Sequence, residues 1–254
     1  MTQLFTQTDK KLIPTLPLYA FEGKIVTVQS ESEAKRAVDY LKRCSLLGID
    51  TETRPSFKKG TSYKVALLQI SAHDICFLFR LNYMGFPPCL IELLEAPDVR
   101  KVGLSLKDDI RQLRQRFADF EPQNCVDLQD LAAQIGIQDM SLAKLYANVF
   151  RLRLSKAAQL SNWEADVLTD KQKVYAATDA QTCVQLYERL TELHQSNDFE
   201  LLPAPEPPAR PAADKPAKSP KPKRSTNKSA RPKRPARKRK TTSTKTRTPK
   251  ASTT

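Results

Sequence analysis

All of the excess positive charge in this chain lies after Leu202, and that division limits what can fold. Residues 203–254 carry 17 lysines and arginines against Glu206 and Asp214, a net of +15, whereas residues 1–202 carry 25 basic and 26 acidic side chains, a net of −1. The same terminal stretch holds 11 of the 18 prolines and no aromatic residue. A segment this charged and proline-rich buries too little apolar surface to offset the entropy lost on ordering it, which predicts a disordered basic tail. The remainder, about 200 residues, has the size of one domain with a single core.

Within that remainder the apolar period changes along the chain. Residues 1–23 read as an irregular lead containing Pro14 and Pro17. Lys24–Gln29 reads as a strand, and a helix from about Ser32 to Arg43 sets Ala34, Ala37, Val38 and Leu41 at helical spacing. Three short apolar runs follow, Leu46–Glu52, Val65–Ser71 and Ile75–Phe79, which read as strands with a tight Ala72–His73–Asp74 connection between the last two. A short helix near Cys89–Leu94 precedes a strand over Lys101–Leu106, and the next helix has Ile110, Leu113 and Phe117 on one face. Asn124–Asp127 suits a further strand, Leu128–Ile135 and Leu142–Phe150 suit helices, and Asp170–His194 suits one long helix. Its expected inner stripe is Val174, Ala177, Thr178, Val184, Leu186 and Leu190. Antiparallel strands first and strand–helix alternation later predict an α/β fold, a mixed β-sheet flanked by α-helices over residues 24–196, with the tail from 197 onward.

Several classes are not expected. The five cysteines form no C-x-x-C pair and none adjoins His73 or His194, which argues against zinc and a disulfide framework and for a reducing compartment. The opening MTQLFTQTDKK does not lead into an apolar run, and no stretch approaches the ~18 apolar residues of a membrane span. The expected location is intracellular: cytoplasm or nucleoid in a prokaryote, with the nucleus open to a eukaryotic chain. The six glycines form neither G-x-G-x-x-G nor G-x-x-x-x-G-K, so the phosphate-cradling loops of nucleotide-binding enzymes are missing.

Three segments carry acids in patterned positions. Asp50 and Glu52 lie two residues apart on a strand and therefore point to one face, although a strand end with solvated acids has the same pattern. Asp108 and Asp109 fall in a first helical turn, where capping is the ordinary role; Asp109 is the better placed of the two to be a ligand, and Asp108 to be a cap. Tyr175 and Asp179 are one turn apart on the long helix, beside small alanines that would let another backbone or a ligand come close. Four acids meeting at one point repel one another unless divalent cations neutralise them. All-oxygen ligands favour Mg²⁺ or Mn²⁺, and two such ions about 3.5–4 Å apart serve phosphodiester hydrolysis.

Asp50–Thr51–Glu52, Gly103 through Asp109, and Tyr175-x-x-x-Asp179 together resemble the DEDD exonuclease superfamily, most of all the branch of the Werner-type exonuclease and ribonuclease D. Arg54–Pro55–Ser56–Phe57, Ala66–Leu67–Leu68–Gln69–Ile70, Val126–Asp127–Leu128 and Ser161–Asn162–Trp163 are similar as well, and the match covers residues 24–195. The resemblance implies a ribonuclease H-like fold and a 3′–5′ exonuclease releasing nucleoside 5′-monophosphates from DNA or RNA. Asp50, Glu52 and Asp179 would hold the catalytic ion, Asp50 would bridge to a second ion supported by Asp109, and Tyr175 would orient the attacking water. The position where a sister branch has histidine is Val174 here, which implies the tyrosine subtype. Thr51, Lys156 and Trp163 stand at substrate-contact positions; a Trp163 packed under the long helix and a solvated Lys156 are the plainer alternatives. An inactive nucleic-acid-binding scaffold is the competing reading, opposed by the retention of all four acids and the tyrosine. The Arg231–Lys240 run adds an expected partner for the tail, the phosphate backbone of the nucleic acid.

Overall fold

The computed structural model describes residues 1–116 and 120–204, apart from the side chain of Arg116. The chain begins with β1 (Thr2–Phe5) and β2 (Leu18–Tyr19), then forms β3 (Lys24–Val28), α1 (Glu31–Leu41), β4 (Leu46–Thr53), β5 (Val65–Ser71) and β6 (Ile75–Arg80). Next come α2 (Leu81–Met84), α3 (Pro88–Glu95), β7 (Arg100–Gly103), α4 (Leu106–Arg116), β8 (Cys125–Asp127), α5 (Leu128–Gln134) and α6 (Leu142–Phe150). The last elements are β9 (Arg153–Leu154), α7 (Asp170–Ser196) and β10 (Phe199–Leu202). Phe117 and residues 205–254, which include nearly all of the basic tail, lie outside the described residues.

Six strands form one mixed sheet in the order β3-β6-β5-β4-β7-β8. The β6–β5 and β5–β4 pairs are antiparallel, whereas β3 with β6, β4 with β7 and β7 with β8 are parallel. Helices cover both faces, and the two faces follow strand alternation. Leu47 and Ile49 of β4, Leu68 and Ile70 of β5, and Phe77 and Phe79 of β6 pack with Ala34, Ala37, Val38 and Leu41 of α1 and Leu90, Leu93 and Leu94 of α3. On the opposite face, Leu67 and Leu78 pack with Ala176, Ala177 and Ala180 of α7 and with Trp163. Double coverage explains why β5 is buried at all seven positions, with no alternation visible in its sequence.

Local signals fix the helix ends. Ser30 and Glu33 form a capping box at the start of α1, as do Thr169 and Gln172 at the start of α7. Asn197 ends α7 in the left-handed region, at φ 52°.

Some elements depart from the pattern-based expectation. The strand expected over Lys101–Leu106 stops at Gly103, because Ser105 takes φ 59° and Leu106 already opens α4. Val174 is half-buried and lines a surface cleft instead of the inner face of α7. The lead is structured: β1 pairs in parallel with β10 (Thr2 with Phe199) and β2 with β9 (Leu18 with Arg153). Asn148 bonds both the N–H and the C=O of Phe5, and the buried carboxylate of Asp139 accepts from the N–H and hydroxyl of Thr8. These strands are two to four residues long and their partners are distant in sequence, so no local periodicity announces them.

Candidate active site

β4 is the strand where the sheet changes character. On one side it pairs antiparallel with β5 through Asp50 and Glu52, which lie opposite Gln69 and Leu67. On the other side it pairs in parallel with β7 only over Leu46–Gly48. Beyond Gly48 the chain after β7 turns away through the left-handed Ser105, leaving a crevice past the end of the parallel pair. Crevices at such switch points are the usual ligand sites of open α/β sheets. Asp50 and Glu52 project into it from β4.

α7 crosses the same face of the sheet and brings Asp179 to them. Its approach depends on Gly48, where a Cβ would stand 2.0 Å from the carbonyl oxygen of Ala180. Helix backbone thus rests on strand backbone one residue after Asp179 and two before Asp50. Ligand oxygens of Asp50, Glu52 and Asp179 all lie within 4.8 Å of one another. The three carboxylates form the floor of a cleft of about 270 Å³, walled by Leu104, Ser141, Leu154, Ser155, Lys156 and Tyr175.

Asp109 reaches the same neighbourhood from the first turn of α4 but stands outside the three-carboxylate cluster. Its Oδ1 accepts a hydrogen bond from the Thr51 hydroxyl at 2.5 Å. Thr51 therefore holds Asp109, and its side chain is committed to that contact. Asp108 instead pairs with Arg111 at 2.9 Å on the exposed face of α4. Tyr175, one turn before Asp179, hydrogen-bonds that carboxylate, and its ring packs 6.0 Å from the ring of Trp163. Trp163 is completely buried, so it supports Tyr175 from beneath and does not line the cleft, contrary to a substrate-contact role. Lys156 is exposed at the rim, and its charge acts on Asp179. His73 and His194 are exposed and away from the cleft.

Electrostatics mark the cluster as a cation site. Burial, followed by the charges of Asp109, Asp179 and Glu52, raises the Asp50 carboxyl well above the ordinary range. Burial and the charges of Asp179 and Asp109 push Glu52 up to about 9. Asp109 is raised to about 7 by burial, against the hydrogen bond from Thr51, and Asp179 to about 7 by burial, against Tyr175 and Lys156. Carboxylates enclosed together hold protons unless a cation takes their place. The cluster offers oxygen ligands alone, the set suited to a hard divalent ion. One neighbour carried no chemical signal in the sequence: Gln69, fully buried and directly across the β-ladder from Asp50, has no hydrogen-bond partner for either amide atom among the described residues.

Residues 25–195 match the family described as 3′-5′ exonuclease. Over 188 residues the chain is 32% identical to the bifunctional 3′-5′ exonuclease/ATP-dependent helicase WRN of Mus musculus, covering 70% of this chain and 13% of that protein. Over 195 residues it is 33% identical to a 3′-5′ exonuclease of Arabidopsis thaliana, covering 70% of this chain and 67% of the relative. Among solved structures, the EXO domain of Aedes aegypti Nibbler superposes with a TM-score of 0.64 at 20% identity, over 72% of this chain and 95% of that one. That likeness is one of fold. The chain belongs to the 3′-5′ exonuclease family. Its fold is that of hydrolytic exonucleases that work with divalent metal ions, and the carboxylate cluster fits such an ion.

Proposed function

We propose that this chain removes nucleotides one at a time from the 3′ end of a nucleic acid, releasing nucleoside 5′-monophosphates with the help of two Mg²⁺ or Mn²⁺ ions. The observation that carries the proposal is the convergence of Asp50, Glu52 and Asp179 within 4.8 Å at the floor of the cleft. When bound, the ions supply Lewis-acid activation of water and offset the charge that grows on the leaving oxygen.

The chain's own residues do the positioning. Asp50, Glu52 and Asp179 hold the first ion, and Asp50 together with Asp109 serves the second. Thr51 keeps Asp109 oriented through its 2.5 Å hydrogen bond. Tyr175, packed against the buried Trp163 and bonded to Asp179, orients the attacking water, a role that supports reading the chain as the tyrosine subtype. Lys156 at the rim offers a cation to the terminal phosphate. Residues 24–196 form the catalytic domain, in keeping with the matched span 25–195. The basic tail adds sequence-independent affinity for the phosphate backbone, and the site of action is intracellular.

The test is the release of mononucleotides from single-stranded DNA and RNA oligonucleotides in Mg²⁺ or Mn²⁺, comparing the wild type with Asp50→Ala. Loss of turnover by at least about 100-fold in the variant is expected. Equal activity in the two proteins would remove the two-ion assignment.

A further inference from the structure

A second cleft opens from the first. It encloses about 940 Å³ and shares Ser141, Leu154, Ser155 and Lys156 with the catalytic cleft. Its charged lining residues are Lys10, Lys144, Arg153 and Lys156, and no acidic residue lines it among the described residues. In a region whose net charge over residues 1–202 is −1, four cations without an acid are a local departure. Asp139, buried behind this wall 3.5 Å from the Lys144 ammonium, offsets part of one of them.

The cations are held in place by long-range contacts. Thr8 is anchored on Asp139 and the Gln138 N–H donates to the carbonyl of Thr6, which sets Lys10 on the near wall. Arg153 donates from Nε to the Leu16 carbonyl at 3.0 Å, and its strand β9 pairs with β2. Lys10 itself is exposed.

Resting on the 3′-end nuclease reading above, we propose that this cleft is the track for the sugar-phosphate backbone of a single strand, upstream of the nucleotide in the catalytic cleft. Lys10, Lys144 and Arg153 are its phosphate-binding cations. The catalytic cleft, at about 270 Å³, has room for little more than one nucleotide. The ions held on its floor offset the carboxylates there and leave the phosphates upstream unpaired, so the strand needs a counter-charge where it leaves. A base-paired terminus would have to separate, because Glu52 and Asp179 lie deep at 9% exposure each. Among the described residues no aromatic side chain lines the track, so it holds the backbone by charge with no stacking platform and no reading of base identity.

The test uses the full chain and Lys10→Glu, with a thymidylate dinucleotide and a single-stranded thymidylate of about twelve nucleotides as substrates. The variant should raise KM for the longer substrate about fivefold to tenfold with kcat unchanged, and leave the dinucleotide unaffected. The slope of log KM against log salt should shrink by about 0.7, one phosphate contact on a single strand. Lys10→Arg should restore both. Equal changes for the two lengths, or none for either, would overturn the track. Anisotropy of a 5′-fluorescent twelve-mer in Ca²⁺ reads the same contact without turnover. Weaker binding by Lys10→Glu supports the track even if the chain fails to cleave, which would count against the nuclease reading alone, and equal binding removes the track.

Discussion

Asp109 and Asp179, raised to about 7, and Glu52, raised to about 9, make this a site where protons and divalent ions compete. A carboxyl whose folded pKa lies above its unfolded value of about 4 favours the folded state while protonated. That contribution is complete below about pH 4 and is lost as the pH rises through about 7 for the two aspartates and about 9 for Glu52. A divalent ion binds the ionised form, so its stabilising effect grows over the same window. Melting temperatures measured with and without millimolar Mn²⁺ should therefore diverge between about pH 5 and pH 9, with the gap widening as pH rises. A gap of constant size would show that these carboxyls are already ionised without metal. At this scale the acids were readable, because strand and helix periods decide which neighbours share a face. The role of Trp163 was not, since burial beneath α7 is a property of the packed fold and of no sequence window.

Among the elements, β4 and α7 matter most, since together they supply three carboxylates and meet backbone to backbone at Gly48 and Ala180. A methyl group at Gly48 would lie 2.0 Å from the Ala180 carbonyl oxygen, and the neighbouring side chain, Val184, would be 2.9 Å away. Gly48→Ala must push the helix off the strand. Overpacking of this kind typically costs about 1–3 kcal/mol, and a shift near 1 Å at a catalytic site costs about 100-fold in rate. Denaturant midpoints together with Mn²⁺ titration should register both a less stable fold and weaker ion binding. A variant with wild-type stability and affinity would mean that β4 and α7 part without consequence. The alanines between Tyr175 and Asp179, Ala176 and Ala177, mark a place of close approach in the sequence, but nothing local identifies Gly48 as what approaches or Ala180 as the point of contact.

For the whole molecule, charge is partitioned: a net −1 over residues 1–202 and +15 over residues 203–254. If the tail supplies affinity for the phosphate backbone, deleting residues 203–254 should raise KM at low salt, leave kcat alone, and lose its effect as salt screens the charges. Activity titrations on single strands at two ionic strengths would decide this, and an unchanged KM at low salt would leave the tail without a binding role. The effect should be independent of the Lys10 contact, because that contact belongs to the described domain.

By itself the sequence determined the α/β order, the longer strands and helices of residues 24–196 to within a few residues but not α2 or β9, and the acids that could meet. Each follows from local periodicity and from chemistry that residue types carry wherever they sit. The tertiary structure decided what depends on distance. It drew Asp50, Glu52 and Asp179 to within 4.8 Å while Asp109 stayed outside that group, bonded to Thr51. It paired Thr2 with Phe199 and so built the lead into the domain. It also set Lys10, Lys144, Arg153 and Lys156 along one cleft, although they span nearly 150 positions of the chain. Contacts of that separation leave no periodic trace, because partners distant in sequence are chosen by packing, and the strands that tie in the lead are only two to four residues long.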